Sequence, residues 1–416
     1  MVPAPVRCDV TGLAHGGAGV ARIDGRVVFV AGALPGETVL VQITDDSRAA
    51  WWRGHVLEVV VPSPDRTPVS CPAAAAGAGC CDLAFGTTDG IRRAKATIVA
   101  DALTRIGRVE VPAGLVVEGM PGGESGHRWR IRARAGVAAD RSALGFRTIH
   151  SNAIVAHRCA ALTPALSDAL GTLDPADLRA GSEVIAVHDD DDAVHLAEVA
   201  GPPSVRGGRA GAQRRRAQSG PPRAPRVLLG GPTARYRVGD RTWELPVAAF
   251  WQAHRGAAEV FARTAGRWLA EWALDATVWD LYGGSGVFAG AAIERGAGAV
   301  HIVDTEADAL ASARTTFHGS PVHTHRAAVS AATLANLPAP GIVVLDPPRS
   351  GVGNAVMDVI TAAEPAAIVH VGCDPAAFAR DIGRAIASGY RLDRLKAYDA
   401  FPLTHHVEAM ALLVRP

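Results

Sequence analysis

The feature that most constrains this 416-residue chain is a change of text near residue 246. From there apolar runs alternate with helical periodicity. "ATVWDLYGGSGVFAGAAIERG" reads as strand, glycine-rich turn and helix, and "AVHIVDTEADALASARTTF" as strand, acid and helix. "GIVVLDPPRSGVG", "AAIVHVGCDPAAFARD" and "EAMALLV" supply further apolar strands. The expected fold of residues 246–416 is a doubly wound α/β sheet, which binds ligands at the carboxyl ends of its strands.

A chain of this length exceeds one ordinary domain, so two or three are expected. Hydrophobic content of 48% and charged content of 20% suit a globular protein. No uninterrupted apolar run of about 18 residues suggests a membrane span. The opening "MVPAPVRCDVTG" lacks a basic segment followed by an apolar core, so no secretory signal is expected and the cytoplasm is the default location. Net charge is +1, which does not announce a nucleic-acid partner. Yet residues 204–226 carry seven arginines and no acid. That stretch, within a segment 201–227, reads as a flexible linker or as an arm that touches phosphates.

Residues 1–62 hold short alternating strands with glycine-rich turns. A hairpin is expected at Asp24-Gly25, and the whole suggests a small five-stranded barrel. Such barrels often bind single-stranded nucleic acid on a basic, aromatic face; a purely structural barrel is the alternative. Residues 63–245 follow, with a cysteine-rich stretch and then helical periodicity over 88–108. Between 126 and 160 the text returns to strand. Arg128, Arg130, Arg132 and Arg134 alternate there, as a solvated face or a phosphate-contacting one.

In "DLYGGSGVF", Asp280 ends a strand, and Gly283, Gly284 and Gly286 precede a helix. Glycines let backbone turn tightly against a ligand. Asp304 ends the next strand, 24 residues after Asp280, where a carboxylate accepts hydrogen bonds from ribose hydroxyls. The pair fits a dinucleotide or S-adenosylmethionine, or an ordinary unliganded turn. The rigid "LDPPRSG" loop suits a methyltransferase holding a planar base beside the methyl donor.

With "DPPRSG", "VGCDPAAFARD" and "FPLTHHVE" in that order, the chain resembles the RNA 5-methyluridine methyltransferases that use S-adenosylmethionine. The resemblance covers essentially the whole chain. It implies an OB-like TRAM barrel over 1–62, a mixed α+β central domain over 63–245 and a Rossmann-like methyltransferase domain over 246–416. It implies that helix 88–108 packs on that last domain. Cys373 then matches the family's nucleophile and Glu408 its general base, with Asp346 meeting the base or the donor. Gln252, in "FWQAH", matches a donor-contacting residue, and Asp280, Tyr282, Gly284 and Asp304 would form the rest of the donor site. His254 stands where relatives often have asparagine, and no role is carried over to it. The stretch "THRAAVSAATL" lacks the acid that many relatives have near the adenine. Arg349 would be structural or contact RNA. His405 and His406 would pack or orient, with a proton relay as the alternative. A helix start after Cys373 is expected to lower its thiol pKa.

Six cysteines are present, at 8, 71, 80, 81, 159 and 373. Cys8 reads as a small core residue. Cys71, Cys80, Cys81 and Cys159 total the four ligands of an iron–sulfur cluster. The resemblance implies a 4Fe–4S cluster, although relatives usually have Cys-x5-Cys-Gly-Gly-Cys and this chain has Cys-x8-Cys-Cys. Zinc and free thiols are the alternatives. The expected partner is RNA, ribosomal in preference to transfer RNA, and the expected state a monomer. Two rival readings are an RNA cytosine-5 methyltransferase and an RNA-binding protein that keeps the fold without catalysis. A radical methylthiotransferase would want a CxxxCxxC triad, which the sequence lacks.

Overall fold

The computed structural model describes residues 4–148, 151–201 and 224–415. β1 (Val6–Leu13), β2 (Gly19–Ile23), β3 (Arg26–Ala31), β4 (Thr38–Asp45) and β5 (Trp51–Val61) close into a barrel in the order β1-β2-β3-β5-β4. Every second residue of β4 (Val39, Val41 and Ile43) turns into a core shared with Cys8, Val28 and Val30, as strand alternation requires. In the β2–β3 hairpin Ile23 faces Arg26, and Asp24 and Gly25 both take positive φ, 48° and 78°. Two left-handed central residues are what a tight hairpin turn of this kind needs.

Thr87 caps the helix Thr88–Ala102 by accepting the Gly90 N–H. One wider turn, Leu103–Gly107, extends it to a left-handed Arg108. This turn lies backbone-close to the helix Pro375–Ala387. A side chain on Gly107 would come within 2.7 Å of the Ala379 carbonyl, so only glycine fits. Lys95, fully buried, ion-pairs with Asp399 at 2.5 Å. β6 (Val117–Gly119) then joins the edge of the C-terminal sheet.

β7 (Arg132–Val137), β8 (Leu144–Arg147), β9 (Ile154–Val155), β10 (Glu183–His188), β11 (Val194–Val199) and β12 (Arg226–Leu229) form an antiparallel sheet, ordered β12-β11-β10-β7-β8-β9. Only Arg132 and Arg134 of the arginine alternation lie in a strand. Arg128 sits in a bend at φ 57°, and Arg130 makes an isolated bridge. The Trp129 indole donates to the Gly126 carbonyl, which keeps this stretch turned rather than extended. Most of the arginine-rich segment, residues 202–223, lies outside the described residues. Its last arginine, Arg226, opens β12 and pairs with Glu198 at 2.8 Å. β13 (Thr233–Val238) and β14 (Arg241–Pro246) form a separate hairpin.

β15 (Thr277–Leu281), β16 (Ala299–Asp304), β17 (Val322–Arg326), β18 (Ile342–Leu345), β19 (Ala367–Gly372), β20 (Arg391–Asp399) and β21 (Glu408–Val414) complete the sheet β17-β16-β15-β18-β19-β21-β20-β6. β15 to β19 run parallel, and β21 is antiparallel to β19 and β20. Alternate residues feed two cores. Val278, Ile342 and Val344 meet the helices Ala257–Leu269 and Val287–Ile293. Trp279, Val343 and Leu345 meet Asn354–Ala362 and Pro375–Ala387. Each fully buried aliphatic side chain there is worth about 1.5–3 kcal/mol. The chain leaves β15 toward β16 and β17, then returns to β18 on the other side. That reversal opens a crevice at the carboxyl ends of β15 and β18. Among the described residues no helix is long and apolar enough to cross a membrane.

Candidate active site

Strand register brings Cys373 and Glu408 together. β19 and β21 pair from Ala367 opposite Val414 to Gly372 opposite Ala409. Cys373 follows the last paired residue of β19 and Glu408 opens β21, so the two strand ends bring the thiol near enough to the carboxyl for its charge to act on it. β19 stops there because Pro375 opens a helix and the Asp374 carboxylate caps it, accepting the Ala377 N–H at 2.9 Å. On the other side Leu345 pairs with His370, so Asp346 emerges beside this end of β19. The Asp346 N–H donates to the Leu281 carbonyl at 3.3 Å.

Burial dominates the electrostatics. Glu408 is 6% exposed, and its carboxyl is raised well above the usual range, first by burial and then by Asp346, with Arg349 opposing. Burial and the Asp304 charge push Asp346 up to about 7. The Cys373 thiol is pushed up to about 12 by burial, then by Glu408 and Asp346. The expected lowering by the helix start is therefore outweighed. A helix terminus carries only about half a charge, and here it competes with burial and two acids. Arg349 is the nearby cation that acts the other way. It donates to Nε2 of His406 at 3.3 Å. Burial, His405 and Arg349 push His406 down to about 3, so it is a neutral acceptor.

The turn after β15 is held from two sides. Asp280 is fully buried beneath it, and its Oδ2 accepts the Ala289 N–H at 3.0 Å. Its Oδ1 has no partner, and burial pushes the carboxyl up to about 7. Asp304, half-buried at the tip of β16, accepts the Gly284 N–H at 2.9 Å and the Glu306 N–H at 2.8 Å. Tyr282 and Gly284 take φ values of 61° and 55°, and a side chain at Gly284 would meet open space. Open backbone, the half-buried Asp304 and the orphaned Asp280 oxygen fit the nucleoside part of S-adenosylmethionine. Gln252, half-buried, lies on a separate loop. That loop is fixed where the Ala253 carbonyl accepts the Ile131 N–H and the Arg255 N–H donates to Trp129. His254 stacks on Trp129 with centroids 5.3 Å apart, and burial pushes it down to about 4, so it is a neutral packing residue.

Cys71, Cys80, Cys81 and Cys159 converge with all four Sγ atoms within 4.8 Å of one another. Cys159 lies 3.7 Å from Cys80 and 3.8 Å from Cys81, and the Ala160 N–H donates to Cys71 Sγ at 3.4 Å. Four thiolates with an amide directed at sulfur fit a structural metal centre.

Two contacts escaped the sequence. His15 Nε2 meets Asp374 Oδ2 at 2.9 Å, and His405 Nδ1 meets Asp82 Oδ2 at 2.5 Å. The partners are 359 and 323 residues apart, so no local pattern signals them.

Residues 5–56 match the TRAM domain, and residues 333–416 match the tRNA (uracil-5-)-methyltransferase family. An uncharacterized RNA methyltransferase of Corynebacterium efficiens is 40% identical, over 99% of this chain and 94% of that relative. The 23S rRNA (uracil(1939)-C(5))-methyltransferase RlmD of Halomonas elongata is 32% identical, over 98% of this chain and 89% of that one. The crystal structure of Pyrococcus abyssi tRNA (uracil-54, C5)-methyltransferase, in complex with S-adenosyl-L-homocysteine, superposes with a TM-score of 0.72 at 21% identity. It covers 98% of this chain and 99% of that one, which shows a shared fold. The chain belongs to the RNA (uracil-C5)-methyltransferase family that carries an N-terminal TRAM domain.

Proposed function

We propose that this protein methylates carbon 5 of a uridine in RNA, with Cys373 as nucleophile and Glu408 as base. The observation that supports this is the nearness of the Cys373 thiol, at the end of β19, to the buried Glu408 carboxyl, at the start of β21. Cys373 thiolate bonds to carbon 6 of uracil, and the displaced pair forms an enolate across carbons 5 and 4. The turn Asp280–Gly284 with Asp304 and Gln252 would hold S-adenosylmethionine, which would supply an electrophilic methyl group. Carbon 5 bonds to that methyl as the sulfonium–methyl bond breaks, and the pair stays on sulfur in the departing S-adenosylhomocysteine. Glu408 then removes the carbon 5 proton, the pair left behind restores the 5,6 double bond, and the thiolate departs. A carboxyl raised toward neutrality is a stronger base than an ordinary glutamate. A thiol pushed up to about 12 needs positive charge beside it to ionise, and Arg349 acts in that direction. Asp346 raises both groups and tunes them.

Ribosomal RNA is the favoured substrate. The RlmD likeness at 32% identity supports it, together with the outer barrel face where Arg53 lies over Trp51. The test is incubation with labelled methyl donor and either 23S rRNA or tRNA transcripts, followed by nucleoside analysis. Labelled 5-methyluridine from rRNA is expected. Labelled 5-methylcytidine would favour the cytosine reading, and no product from donor-binding protein a non-catalytic one.

The four clustered thiolates hold a metal centre in this proposal, and a 4Fe–4S cluster is the occupant the family implies. Their spacing, within 4.8 Å, is close to the edge of about 3.8 Å for four thiolates on one tetrahedral zinc ion. A cubane sets four irons between its ligands and would require them to spread. Zinc is thus the second reading, and iron, sulfide and zinc content of anaerobically purified protein decides between them.

A further inference from the structure

Two histidine–aspartate pairs reach the active-site loops from outside the catalytic sheet. His15 lies in the barrel, between β1 and β2, and its Nε2 donates to Asp374 Oδ2 at 2.9 Å. Asp374 follows Cys373 directly, and its other oxygen caps the helix Pro375–Ala387. Asp82 follows Cys81. It accepts from the His405 backbone N–H at 3.2 Å and from His405 Nδ1 at 2.5 Å. Beside it the Leu83 N–H donates to the Leu403 carbonyl at 3.0 Å. His405 stands three residues before Glu408.

The two pairs are themselves in contact. The His15 and His405 rings meet edge to face, with centroids 5.9 Å apart. Gly17, at φ 83°, closes the gap. A side chain there would fall 2.6 Å from Asp82 Oδ2 and 3.3 Å from His405 Cβ. The barrel loop, the cysteine segment, the nucleophile loop and the base loop therefore converge at one point. A partly exposed histidine–carboxylate contact adds little to stability. Misplacing a reacting group by about 1 Å, by contrast, costs about 100-fold in rate.

We propose that these pairs are positioning residues: His15 fixes Cys373 through Asp374, and Asp82 fixes Glu408 through His405. The barrel and the cysteine segment then set the spacing of nucleophile and base, in addition to any part in holding RNA. The inference rests on the roles proposed above for Cys373 and Glu408.

The two arms predict different defects. Full-length protein, purified anaerobically, is compared with His15→Ala and His405→Ala in single-turnover reactions. The substrates are 23S rRNA transcripts carrying uridine or 5-fluorouridine. His15→Ala should slow formation of the 5-fluorouridine adduct about 10-fold, with the KM for RNA unchanged. His405→Ala should form that adduct at the wild-type rate. On ordinary uridine it should release product about 10-fold more slowly and accumulate the methylated adduct. His15→Gln, which can still donate to Asp374, should recover most of the loss. Melting temperature and metal content identify a variant that fails to fold, and Asp82→Asn, which keeps an acceptor, then reads the second arm. A rise in KM alone, or wild-type rates in both variants, overturns the proposal. Absence of any adduct with wild-type protein instead overturns the role of Cys373.

Discussion

Cys373 and the quartet Cys71, Cys80, Cys81 and Cys159 offer the same sulfur atom in opposite surroundings. Cys373 ends a buried strand, faces Glu408 and Asp346, and has Arg349 as its nearby cation. The quartet faces itself inside an apolar core with Leu83, Trp129 and Leu166, and an amide is directed at one sulfur. A carboxyl beside the thiol offers a base for the later proton removal, and Arg349 opposes the acids' upward push on the thiol. Thiols beside thiols suit a metal and give a substrate no room. What a cysteine does is decided by its neighbours.

The comparison breaks most sharply if a quartet cysteine is the nucleophile. Cys373→Ala should lower turnover by about 10⁴-fold or more without changing metal content, measured by methyl incorporation and metal analysis. Glu408→Gln should cost about 10²–10⁴-fold and leave a methylated covalent complex visible on a denaturing gel. Cys159→Ala should do the reverse of Cys373→Ala: metal is lost and the melting temperature falls, because metal binding is coupled to folding. Arg349→Ala sharpens the electrostatic side. Arg349 lowers Glu408, so its removal raises that carboxyl further. The base must be deprotonated, so the rising limb of the rate profile should move to higher pH. The smallest effect concerns Asp280, whose carboxyl rises to about 7 on folding. As pH climbs from 4 through 7 the unfolded chain loses that proton first, so this group's contribution to stability declines. Asp280→Asn should flatten that decline in denaturation curves taken across the range.

Much of the catalytic fold was legible because its central strands are buried on both faces and read as unbroken apolar runs. β17 (VHTHR) and β20 (RLDRLKAYD) were not, since an edge position hides the first and polar residues along its length hide the second. The hairpin at Asp24-Gly25 was plain from its turn chemistry. The arginine alternation misled, because Trp129 turns the chain where periodicity alone predicts strand. At the site, residue types and motifs pointed to Cys373, Glu408 and Asp346, but not to the direction of the thiol's shift. That direction depends on burial and on acids brought in from other strands. His15 and Asp82 were invisible, since only tertiary folding carries them to Asp374 and His405.

The central claim is tested most directly by covalent trapping. Anaerobically purified protein is mixed with S-adenosylmethionine and 23S rRNA carrying 5-fluorouridine, then run on a denaturing gel. Fluorine at carbon 5 cannot leave as a proton, so the adduct should persist as a shifted band that vanishes in Cys373→Ala. A band that survives Cys373→Ala, or no band from protein that binds both donor and RNA, contradicts the account.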